Sequence, residues 1–145
     1  MVESRDYSWE NYVLFFAAIY NLLWGAWVII FPEQSFTLVG AEVPSHLEIW
    51  QCVGMIVGVY GVGYYIAALS PYRHWPIIFV GWLGKILGPI GFIDALYRDV
   101  FPIKFGIHIV FNDLIWWVPF SLILYKVWDK NGVSLLLRIR TKEKR

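Results

Sequence analysis

Lys85 and Asp113 carry opposite charges deep inside two apolar stretches, Trp75 to Leu96 and Phe105 to Trp128. A charge at the centre of a bilayer costs about 2.5 to 3.5 kcal/mol, so ionisable residues placed there mark an intramembrane polar site. Asn112 adjoins Asp113, His108 lies one helical turn from Asn112 on the same face, and Asn21 falls near the middle of another apolar stretch. Gln51 and His108 fall near one membrane boundary, and Trp24, Trp116 and Trp117 lie near mid-depth, where they would supply an aromatic wall. Asp113 and His108 are the candidates for acid or base chemistry, because carboxylate and imidazole are the side chains that most readily exchange protons in such a site. The plainer alternative is that Lys85 and Asp113 neutralise each other and orient the helices, and that the tryptophans are ordinary packing.

The elements that must position these residues are membrane helices. With 59% hydrophobic and 16% charged residues, a chain of 145 residues has too little polar surface to cover itself in water. Crossing the hydrocarbon takes about 20 apolar residues. Four stretches qualify, at about 12–31, 49–69, 75–96 and 105–128. Pro32, Pro44, the Ser70-Pro71 pair and Pro102 mark the breaks between them. The expected architecture is an all-α antiparallel bundle of four transmembrane helices filling residues 1–128, followed by a basic tail at 129–145. The segment Ser35 to Val43 is short enough to lie on the membrane surface.

Basic residues set the expected orientation. Arg5, Arg73, Lys126, Lys130, Arg138, Arg140, Lys142, Lys144 and Arg145 fall on one side, against Arg98 and Lys104 on the other. That bias predicts cytoplasmic amino and carboxyl termini in a bacterial inner membrane. The amino end carries Glu3, Asp6 and Glu10 against one arginine and no small-residue cleavage site, so the first helix is expected to stay in place. The cations from Arg138 to Arg145 also suit anionic lipid, at about 1 kcal/mol each. A net charge of +1 and the lack of any binding module exclude nucleic acid as the expected partner.

With this orientation Lys85 lies about 15 Å from the inner face and Asp113 about 12 Å from the outer face of a roughly 30 Å core, so the two meet at similar depth. Polar residues run from the outer boundary to the midplane, and the inner half is aliphatic. This predicts a pocket open outward and closed inward, and argues against a pore. Gly54, Gly58 and Gly61 on the second helix, with Gly81, Gly84, Gly88 and Gly91 on the third, predict close packing of those two helices. Pro89 should free the carbonyl of Lys85 four residues earlier as an added acceptor.

Several chemistries are set aside by counting. Cys52 is the only cysteine, which excludes an internal disulfide, a CxxC pair and a thiolate cluster. His46, His74 and His108 are too dispersed for one metal, so neither metal nor cofactor is expected, apart from a haem held by two copies of His108 across a dimer.

The segments Ile49–Met55, Arg73–Pro76, Gly84–Phe92 and Asn112–Trp117 together resemble a family of small bacterial four-helix integral membrane proteins without established function, sometimes labelled alkyl hydroperoxide reductase. The resemblance covers most of residues 12–128 and implies this architecture and a bacterial source. The label implies cysteine-based peroxide chemistry, which Cys52 without a resolving partner does not supply. The functional expectation is binding, with modification as an extension, of a small hydrophobic molecule, lipid or quinone at Lys85, Asn112 and Asp113. The alternatives are an accessory subunit, with a membrane-protein partner or a second copy of the chain, and proton or small-solute transport.

Overall fold

The computed structural model describes residues 7–142, with side chains for residues 7–130. The long helices are α1 (Trp9–Ile30), α3 (Leu47–Leu69), α4 (Trp75–Tyr97) and α6 (Ile115–Lys142). Two short helices, α2 (Gln34–Thr37) and α5 (Gly106–Ile109), stand in the connections, and a π-helical segment, Val110–Leu114, joins α5 to α6. Among the described residues four helical spans are long and apolar enough to cross a membrane, the last running Ile103–Lys130. The helix does not stop at Trp128, as the composition suggested, but continues to Lys142. Leucine, arginine and lysine in that region are good helix formers, and a single Gly132 opposes them by only about 1 kcal/mol. Arg5, Lys144 and Arg145 lie outside the described residues, as do the side chains of 131–142, so the lipid-binding reading of the tail falls outside them too.

The helix boundaries follow local chemistry. Asn11 Oδ1 accepts the Ser8 N–H at 2.9 Å at the start of α1. Its amide Nδ2 donates to the Ala68 carbonyl at 2.6 Å, pinning the start of α1 to the end of α3. At their other ends Gln51 Nε2 donates to the Ile29 carbonyl at 2.8 Å. Past α2 the chain reverses at Gly40, whose φ of 68° is open to glycine at no steric cost, and the Ala41 N–H closes onto the Phe36 carbonyl.

Lipid tails are as apolar as leucine, so burying apolar area gains little here, and helices associate by close van der Waals packing. The tightest approach joins α1 and α3. A Cβ at Gly25 would sit 2.6 Å from the Gly54 carbonyl oxygen, and one at Gly61 would sit 3.0 Å from the Ala18 carbonyl. Gly54 and Gly61 of α3 therefore serve α1, not α4 as their spacing suggested, while Gly63 faces Ile77 of α4. Helical periodicity shows which residues share a face but not which neighbour that face meets. On α4, Gly81 makes room for the Tyr64 ring, Gly88 for the Asp113 carboxylate, and Gly84 and Gly91 face open space.

The second association joins α4 to α6. The Trp82 indole donates to Ser121 Oγ at 2.9 Å, and the Trp117 indole donates to the Lys85 carbonyl at 2.8 Å. All four long helices then meet in a buried apolar core that includes Leu14, Ala17, Tyr64, Ile78, Phe120 and Ile123. Gly25→Ala should lower stability by about 1 to 3 kcal/mol, because the new methyl meets backbone that cannot yield. Gly84→Ala, with nothing for its methyl to meet, should raise stability by up to about 1 kcal/mol. Thermal unfolding of the two variants in one detergent separates them, and equal losses would contradict the packing described for α1 and α3.

Candidate functional site

Lys85 of α4 and Asp113 of the π segment are 4% and 5% exposed, and Asn21 of α1 is 2% exposed. These three line one cavity with Tyr60, Tyr64 and Asn112. Its volume is about 180 Å³. Ile56 and Gly84, which also border it, are exposed on the outer surface of α3 and α4, so the cavity opens sideways between these two helices.

Two backbone irregularities build the site. Pro89 has no N–H to give the Lys85 carbonyl, and the Trp117 indole replaces it, which fulfils the expectation of a freed acceptor and shows what occupies it. The π segment widens the helix by one residue and turns the carbonyls of Phe111 and Asn112 toward side-chain donors. The Trp116 indole donates to the Phe111 carbonyl at 3.1 Å, and Lys85 Nζ donates to the Asn112 carbonyl. The same widened turn carries Asp113 inward against Gly88. Nothing in the spacing of residues 105–128 distinguishes it from an ordinary α-helix.

Lys85 and Asp113 are brought together but do not close on each other. Among the described residues the ion pairs are Lys126 with Glu10 and Arg98 with Asp94. Lys85 also has partners other than the carboxylate. A charged bond to a carbonyl contributes about 1.5 to 3 kcal/mol, and the Tyr64 and Trp116 rings each lie 5.8 Å from Nζ. The Asp113 carboxylate has only the Asn112 Nδ2 donor, at 3.3 Å, among the described residues. Two oxygens beside it, Asn21 Oδ1 and Asn112 Oδ1, are enclosed with no hydrogen-bond partner.

Of the residues singled out from sequence, Lys85, Asn21, Asn112 and Asp113 share the cavity, Trp116 borders it through the ammonium, and Trp117 supports it from behind. Trp24, Gln51 and His108 do not line it. They belong to a layer nearer the end where α1 stops and α3 begins. There His108 Nε2 donates to the Ser35 carbonyl at 2.9 Å, and its ring packs on Trp24, Trp27 and Phe105. Because a carbonyl can only accept, Nε2 is the donor in that bond, which ties the ring to α2. Ser35 and Phe36 are buried in this layer, so α2 packs onto the bundle through them while Thr37 and Leu38 stay exposed. The pocket thus does not follow the polar gradient toward that end, because the gradient's side chains are consumed by backbone carbonyls.

Tyr60 and Tyr64 are cavity residues that the search for charges passed over. Their spacing of four on α3 placed two hydroxyl-bearing rings on one face at mid-depth, and that was the available signal. Glu10 was also read only as an amino-terminal acid. It is 2% exposed and bound to Lys126 at 2.7 Å and to the Tyr72 hydroxyl at 3.4 Å. Among the described residues no three His, Cys, Asp or Glu side chains gather into a metal-ligating group. Compared with protein-family models, with curated proteins and with solved structures, the chain matches none.

Each single variant at the charged site should destabilise for a different reason. Lys85→Met leaves Asp113 uncompensated and the Asn112 carbonyl without its donor, and should cost about 2 to 4 kcal/mol. Asp113→Asn leaves a lysine that keeps its carbonyl and rings, and should cost about 1 kcal/mol. The double variant should recover about 1 to 2 kcal/mol of the summed loss in a mutant cycle measured by unfolding in detergent. Strict additivity would mean that the two charges do not sense each other across the cavity.

Proposed function

We propose that this is a multi-pass inner-membrane protein that binds a small hydrophobic molecule or lipid in the cavity of Lys85, Asn112 and Asp113. The bundle is antiparallel with both termini in the cytoplasm. The links of Asn11 to Ala68 and of Gln51 to Ile29, at opposite ends of α1 and α3, support the arrangement. The distribution of basic residues supports the orientation.

The observation that carries the reading is the separation of the two charges. If Lys85 and Asp113 served only to neutralise each other, direct contact would be the stable arrangement, because the cost of burying both is offset only by close geometry. Instead they line a space with Asn21, Tyr60 and Tyr64, and that space opens toward lipid at Ile56 and Gly84. Convergent polar groups in an otherwise apolar cavity are the usual form of a site for an amphiphilic ligand. The ligand reaches it from within the membrane, its polar head at the charges and its hydrocarbon in the gap between α3 and α4.

After extraction in a mild detergent, native mass spectrometry of the wild type should show a retained lipid or small hydrophobic molecule that the Lys85→Met/Asp113→Asn variant lacks. A wild type carrying nothing beyond what the folded variant carries would exclude the reading. For the topology, a reporter fused after residue 145 should be active only in the cytoplasm and one inserted near Ser45 only outside. An external carboxyl terminus would overturn the orientation.

A further inference from the structure

We infer that Lys85 condenses through Nζ with an aldehyde dissolved in the membrane and holds it as a protonated aldimine, with the Asp113 carboxylate as the counter-charge. The inference rests on the membrane-ligand reading and deepens it, naming the ligand's reactive group and the bond that retains it.

The Lys85 amine is the strong nucleophile among the residues that line the cavity. Cys52, the only thiol of the chain, is exposed and does not border it. A lysine amine in a water-poor pocket is the group that captures carbonyl compounds, because an aldehyde needs no activation beyond proton transfer and no leaving group but water. Nζ is at the cavity wall: it donates to the Asn112 carbonyl and lies 5.8 Å from the centre of the Tyr64 ring, and both of those residues line the same space. Asp113 lines it too, near enough to exchange protons across it and outside direct ion-pair contact with the amine.

The bonds present match those of the product. An ammonium has three N–H groups, and Lys85 directs one of them to the Asn112 carbonyl. A protonated aldimine keeps a single N–H, which this carbonyl would hold, and its carbon side turns to the cavity. Its positive charge would stay beside the Tyr64 and Trp116 rings that now flank Nζ. In the condensation Asp113 takes a proton from the ammonium, and the neutral amine adds to the carbonyl carbon to form the C–N bond. The carbonyl oxygen takes a second amine proton and becomes a hydroxyl. Asp113 returns its proton to that hydroxyl, which leaves as water while the nitrogen lone pair closes the C=N bond. Both charges are restored, and no oxidant or reductant is consumed.

The surroundings favour the condensed form. Water hydrolyses an aldimine, whereas Lys85 is 4% exposed and the cavity opens toward lipid at Ile56 and Gly84. A cavity of roughly 150 Å³ takes one benzene ring, so a volume of about 180 Å³ seats the carbonyl and the first carbons of a chain whose remainder lies in the bilayer.

The test treats the full chain in lipid nanodiscs with limiting hexadecanal and sodium cyanoborohydride, which reduces an aldimine to a stable secondary amine in preference to the aldehyde. Peptide mass spectrometry then reads the rate at each lysine. Lys85 should gain the hexadecyl group at least about tenfold faster than exposed Lys104 and Lys130, because the cavity holds the aldehyde beside it. Asp113→Asn keeps the shape of the side chain but neither takes nor returns a proton, and should slow Lys85 at least about tenfold while leaving Lys104 at its rate. In the wild type, Lys85 modified no faster than Lys104 would overturn the inference, and this comparison lies within one molecule whatever the variant does. A folded Asp113→Asn variant that labels Lys85 at the wild-type rate would overturn the part given to Asp113. An unmodified Lys85 with a retained ligand still seen by native mass spectrometry would overturn the aldimine and leave the membrane-ligand reading intact. Absence of both would overturn the two together.

Discussion

The bond from Lys85 Nζ to the Asn112 carbonyl holds the centre of the molecule together. In hydrocarbon every polar group must find its partner within the protein, because no water is available to replace one. Pro89 and the π segment each disturb the helical ladder, and both disturbances are met by side chains from the facing helix: Trp117 to α4, and Lys85 to the π segment. The two exchanges fix α4 against α6 at one height. They also turn one of the lysine's three N–H donors to backbone, beside the cavity whose lining it shares with Asp113.

The rest of the bundle is layered around that space. On one side lies the aromatic layer of α2, Trp50, Phe105 and His108, in which His108 bonds the connection between α1 and α3. On the other lies the apolar core, where Tyr64 and Phe120 meet edge to face with ring centroids 5.1 Å apart. Beyond the core, Glu10 and Lys126 tie α1 to α6 where the helices approach water. A space closed above and below in this way communicates sideways, through the opening between α3 and α4 at Ile56 and Gly84. Lateral access suits a ligand already dissolved in the membrane better than a solute crossing it.

The division of labour between the helix pairs has a dynamic consequence. The α1 and α3 pair is locked by backbone approaching backbone at Gly25, Gly54 and Gly61, which tolerates little sliding. The α4 and α6 pair rests on indole and ammonium bonds beside Pro89, Pro119 and a π segment, features that loosen a helix. The cavity lies at the seam between a rigid half and a more deformable one, so admitting a head group there need not disturb the packing of α1 on α3.

Much of this was legible in the residues themselves. Apolar stretches long enough to span a bilayer, broken at Pro32, Pro71 and Pro102, determine the helices, because backbone in lipid has no other regular way to satisfy itself. The depth of Lys85, Asp113 and Asn21 follows from counting along those helices, and the freed Lys85 carbonyl follows from the position of Pro89. Only the tertiary structure decided what each polar group meets. It assigned Gly54 and Gly61 to α1, and committed Gln51 to a carbonyl at the end of α1 and His108 to one in the connection that follows. By widening one helical turn it also held Lys85 and Asp113 apart across a cavity instead of in contact. Periodicity along one helix carries depth and face, whereas partner, rotation and register arise from the fit between helices, and a sequence read one stretch at a time does not contain that fit.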